Sequence, residues 1–170
     1  MQLKQMTDQM ARNAEAIRHL VKDITLEQAR WRPDPESWSI LEVINHLYDE
    51  ERDDFRTRLD LILYHPGTPW PPIDPPSWAI ERRYNERAFD SSLQNFLDER
   101  AASLRWLESL SSPDWSVISN HPVLGPMSAG DMMASWISHD FLHLRQLSEL
   151  YWAYVAEMAA PYSGEYAGPW

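Results

Sequence analysis

The chain has 170 residues, 44% hydrophobic and 12% aromatic, enough to bury one core of ordinary size in one domain. Its formal net charge is −11. A surface of that sign repels phosphate backbones and anionic lipid, which argues against nucleic acid and membranes as partners. Cysteine is absent, so disulfides, thiolate metal sites and a cysteine nucleophile are excluded.

The opening MQLKQMTDQMARNAEAIRHL is polar and amphipathic and lacks the apolar segment of a signal peptide. No stretch approaches the roughly 18 apolar residues of a membrane span. A cytoplasmic location is expected. Met6, Met10, Ile17 and Leu20 recur at helical spacing and predict a first helix from Leu3 to Val21. Pro33 and Pro35 forbid a continuous helix through the connector that follows.

Ser39 and Glu42 form a capping box that opens a second helix. Its buried stripe is Ile40, Val43, Ile44, Leu47, Phe55, Leu59 and Ile62, and it must stop near His65-Pro66. The Pro-rich stretch 65–78 reads as a long ordered loop, after which Ser77 can cap a short helix, WAIERRYNER. A third long helix spans about Ser92 to Leu110, with Leu93, Phe96, Leu97, Leu104 and Leu107 apolar. Residues 111–127 are irregular, with WSVI (115–118) the one strand signal.

Ser128 and Asp131 form a second capping box that starts a fourth helix, about Ala129 to Glu157. Met133, Ile137, Leu144, Leu147, Tyr151 and Val155 face its core. The class is therefore all-α, most simply a four-helix bundle with one long crossover in residues 1–158, followed by a loose tail, 159–170. The nine tryptophans fill the core or line a pocket or a subunit contact.

Of the six histidines, His139 and His143 lie four apart on the fourth helix, which stacks two imidazoles on one face within reach of one ion. Such a pair arises by chance too often for the spacing alone to make a site. Both sit on the flank of the apolar stripe, where a bundle places its metal sites. His46 sits on the flank of the second helix, one turn before Glu50. Three neutral imidazoles with an open position are the pattern of a catalytic metal site, and imidazole suits zinc, nickel and iron alike. His19, His65 and His121 read as ordinary hydrogen-bonded side chains. Glu50 and Asp53 are candidates for a fourth ligand or general base, or belong to a solvated acidic face. Gln146 is placed to bond a metal-bound water. Asp140 falls in the apolar stripe, where it either orients a ligand imidazole or bonds a Trp, Arg or backbone group of a neighbouring helix. HDFLH is not the zincin HExxH motif, because Asp lacks the reach of Glu and no third-ligand segment follows.

Residues 38–47, WSILEVINHL, resemble the opening of the second helix in the DinB-like superfamily, and Trp31-Arg32-Pro33 resembles its preceding loop. His121-Pro122-Val123-Leu124-Gly125-Pro126-Met127-Ser128 resembles the lead-in to the last helix, and His139 to Gln146 its H-x-x-x-H-x-x-Q segment. The resemblance covers roughly residues 5–155. It implies an antiparallel four-helix bundle, a homodimer, and a divalent metal ion held by His46, His139 and His143. It also implies an enzyme that uses a low-molecular-weight thiol such as bacillithiol or mycothiol as cosubstrate, with metal-dependent hydrolysis the second chemistry. A non-enzymatic ligand-binding protein is the remaining alternative.

Overall fold

The computed structural model describes residues 2–168, so Met1 and the last two residues of the expected tail lie outside it. The molecule is mostly helical. Four long helical segments carry it: α1 (Leu3–Val21), α3 (Ile40–Asp49) continuing through a π-helical segment, Glu50–Phe55, into α4 (Arg56–Tyr64), α6 (Phe89–Ser109) and α7 (Ala129–Met158). Shorter pieces are α2 (Leu26–Arg30), capped by Thr25, and α5 (Pro75–Glu81). An antiparallel hairpin, β1 (Ile118–His121) with β2 (Gly125–Ser128), precedes α7.

Both capping boxes form as read. Ser39 accepts from the Glu42 backbone N–H and Glu42 returns to Ser39 N, and Ser128 and Asp131 repeat the arrangement. Every residue of the stripe expected on the second helix is buried. Three expectations shift. The short helix starts at Pro75, not beyond Ser77, because Asp74 accepts from Ser77 N and proline suits the first helical positions. The strand pairing falls at 118–128 rather than 115–118. Val155 is half exposed, because the last turns of α7 outrun their neighbours.

The core divides into two apolar clusters. One gathers Ala14, Ile17, Val43, Ile44, Leu47, Phe96 and Leu147, the other Met10, Phe55, Leu59, Leu107, Met133 and Trp136. Along α1 and α7 the second cluster comes first; along α3–α4 and α6 the order is reversed. The helices therefore run as two opposed pairs. Within the packed pair α3 and α6 the direction is the same, so the strict alternation of an antiparallel bundle is broken. The crossover from 65 to 88 allows this by carrying the chain back along the bundle. It is anchored by Trp70, buried, with its indole N–H on Ser119 Oγ at 3.1 Å.

Polar residues fill the waist between the clusters. Arg100 of α6, 1% exposed, donates to Glu51 Oε1 at 2.5 and 2.9 Å, to both Asp140 oxygens at 2.7 and 2.8 Å, and to the Met10 carbonyl at 3.0 Å. Trp136 donates to Glu51 and Asn13 to Asp140. This group ties all four long helices together at one level. Of the two readings of Asp140, the structure gives the ion pair with a neighbouring helix.

Candidate metal centre

The histidines sit beside this polar waist. His46, on α3, reaches the site because the Ser39 cap fixes the start of its helix. His139 and His143, on α7, point inward one turn apart. The Nε2 atoms converge: His143 to His139 at 3.0 Å and His46 to His139 at 3.3 Å. Nitrogens bound at ordinary zinc distances to one tetrahedral ion lie roughly 3.3 Å apart, so the three fit one divalent ion. The group satisfies the mutual spacing of a metal site, each ligand atom within 4.8 Å of the others.

The donors are in the form a metal needs. Burial, with repulsion from the neighbouring imidazoles, pushes His46 down to about 2, and burial is also the main cause that holds His139 down at about 3. Burial lowers His143 as well. All three are neutral at physiological pH. Gln146 Oε1 accepts from His143 Nδ1 at 2.7 Å, which leaves the Nε2 lone pair facing the other two rings.

Glu50 approaches the opposite edge of His46, its Oε1 3.7 Å from Nδ1, and neither atom has a hydrogen-bond partner among the described residues. Burial, then the charges of Asp54 and Asp49, push the Glu50 carboxyl up to about 9. Asp54 is raised by burial too and pairs with Arg58. Glu50 thus stands behind a ligand ring, on the side away from the converging nitrogens. Asp53 points elsewhere, held by Arg52 and Arg82. His19, His65 and His121 stay apart. His19 bonds its own helix at Glu15 O, His65 is exposed at the end of α4, and His121 accepts from the Val123 and Leu124 amides.

The π-helical segment starts at Glu50, one turn after His46. Thr57 Oγ1 donates to the Arg52 carbonyl, which the wider turn leaves exposed to it. Phe55, at the end of the segment, packs on the His139 ring at 5.0 Å and stacks on Trp136. Apolar spacing marks neither this segment nor the contact of Gln146 with His143. Arg100 carried a signal, since it falls in the stripe Leu93, Phe96, Leu107.

The centre opens to a cavity of about 750 Å³. His46 and His143 lie at its floor with Gln146, and Trp38, Leu150, Trp152 and prolines 33, 75 and 76 wall it. Trp38 leans on His46 with ring centroids 4.9 Å apart. Two tryptophans therefore line a pocket while Trp136 and Trp70 fill the core. A site with three neutral imidazoles on one side and a cavity on the other can hold an ion and leave it a position for exchange.

No curated protein sequence matches the chain. Among solved structures, YfiT from Bacillus subtilis, described as a probable metal-dependent hydrolase with an unusual four-helix bundle topology, superposes with a TM-score of 0.77. It is 17% identical over 88% of this chain and 85% of its own, a likeness of fold. The sequence profile of the DinB superfamily matches residues 9–147, which include all three histidines and Gln146. The chain belongs to the DinB superfamily.

Proposed function

We propose that this protein is a metal-dependent hydrolase of small molecules, with a divalent ion held by His46, His139 and His143. The observation that carries the reading is the convergence of three neutral Nε2 atoms at the floor of an open cavity. A divalent ion there supplies a Lewis acid and a bound water of lowered pKa. The chain does the rest. Gln146 holds the His143 tautomer through Oε1 and lines the cavity, where its amide group can donate to a substrate oxygen. Glu50 stands on the Nδ1 side of His46, 3.7 Å away, where a small shift would let it bond and orient that ring. The Trp and Pro side chains give the cavity apolar walls. In hydrolysis an acyl C–O or C–N bond breaks, the oxygen of water joins the acyl carbon, and its proton leaves with the alcohol or amine. Zinc, nickel and iron all suit this donor set. We also propose a cytoplasmic location, from the polar N-terminal segment, and a homodimer, from the family resemblance.

Transfer to or from a low-molecular-weight thiol is the second reading. It is favoured by the Trp–Pro walls beside His46 and His143, and by the Nδ1-side placement of Glu50, away from where a base would meet a bound water. A panel of esters, amides and thiol–electrophile pairs decides between them, assayed with zinc, nickel or iron and after chelation. Turnover of esters or amides that chelation abolishes and metal restores is expected. Turnover that needs an added thiol would replace hydrolysis with transfer, and turnover unaffected by chelation would overturn the metal-dependent reading.

A further inference from the structure

We infer that the substrate carries a positive charge at the end remote from the reacting group, an ester or amide bearing an ammonium or guanidinium; this rests on the hydrolase reading above. The cavity supplies no cation of its own. Its charged lining residues are Glu36 and Glu149, and no lysine or arginine lies among them. The nearby arginines are engaged. Arg32 grips Glu42 through two bonds at 2.5 and 2.9 Å, and Arg52 and Arg82 are held by Asp49 and Asp53. Arg145 reaches Glu149 only at 3.5 Å, with a side chain 70% exposed, a pairing of little worth. Glu36 has no ion pair among the described residues.

The walls add to the same preference. The face of an indole attracts a cation within about 6 Å, and Trp38 borders the cavity. The chain's net charge of −11 draws cations to its clefts and repels anions. A substrate carboxylate or phosphate would find no cationic partner in the lining except the metal, where it would block the reacting position. Geometry sets the length. His143 and Glu149 are six residues apart on α7, about 9 Å along the helix axis, so the charge and the reacting group should be separated by about that distance.

The test is titration of the intrinsic tryptophan fluorescence with three matched probes: 4-phenylbutylammonium, 4-phenylbutanol and 5-phenylpentanoate. It is run on the full chain after chelation, where no ion can attract the carboxylate. The ammonium is expected to bind about tenfold more tightly than the carboxylate, with the alcohol between, and the margin should shrink as salt is raised. Replacing both exposed acids, Glu36→Gln with Glu149→Gln, should bring the ammonium close to the alcohol while leaving the alcohol unchanged. Equal or tighter binding of the carboxylate, a margin indifferent to the double substitution, or no binding of any probe would overturn the inference. Because the titration needs neither metal nor turnover, the two readings fail separately. Cation preference without hydrolysis counts against the hydrolase alone, and hydrolysis without cation preference counts against the substrate class alone.

Discussion

Glu50 and the histidines oppose one another in their effect on the metal-free protein. The Glu50 carboxyl rises from 4.5 to about 9 on folding, so its contribution is complete below pH 4.5 and is lost as pH climbs toward 9. His46 and His139 fall from 6.5 to about 2 and about 3, so their contribution is complete above pH 6.5 and is lost as pH drops. Chemical denaturation of the chelated protein should therefore show greatest stability near pH 6.5, with Glu50→Gln flattening the alkaline limb. A limb of unchanged slope in that variant would remove Glu50 as its source. Gln146 acts on a ligand rather than on the ion. Gln146→Leu should weaken metal affinity by about 10- to 100-fold, the usual cost of losing a partner that orients a ligand histidine. It should leave the melt of the chelated protein within a few degrees of wild type. Competition with a chromogenic chelator measures the first, and an affinity equal to wild type would deny Gln146 its orienting part.

At the scale of elements, the polar waist is where stability and site meet. Arg100 is fully buried between Glu51 and Asp140, and the residue before Asp140 on α7, His139, is a candidate ligand. Arg100→Met should cost about 3–5 kcal/mol, because two carboxylates would be left buried without their partner. Replacing Glu51, Arg100 and Asp140 together with apolar residues should recover much of that loss. Urea denaturation of both variants checks this, and a single variant as stable as wild type would contradict the clamp. The starts of α3 and α7 were legible because serine with an acid three residues on, ahead of an apolar run, has one economical use, and α1 and α6, which have no side-chain cap, were legible from apolar spacing alone. The two inner histidines of α7 and His46 were legible as a set through resemblance more than spacing. The π-helical segment was not legible, since Leu47 and Phe55 are eight apart and an uninterrupted helix would face both inward. The opposed pairing of helices was hidden as well, because a helix's apolar stripe is the same whichever way its neighbour runs. Arg100, Glu51 and Asp140 each interrupt an apolar stripe, but only the tertiary structure shows that the three interruptions meet.

For the whole molecule, two apolar clusters join the helices through contacts that do not involve the three histidines, unlike a fold whose core is its metal site. Chelation should leave the far-UV circular dichroism at 25 °C nearly unchanged and lower the melting temperature, because the ion binds only the native state. Loss of most of the helical signal would make the metal structural. The central claim is that His46, His139 and His143 together hold one divalent ion, and metal content tests it most directly. Protein prepared without an affinity tag, loaded with zinc, nickel or iron and dialysed, should retain about one ion per chain. His46→Ala, His139→Ala and His143→Ala should each retain almost none while keeping a wild-type helical spectrum, and His19→Ala and His65→Ala should match wild type. Full metal content in the His46→Ala variant, or none in the wild type with any of the three metals, would contradict the account.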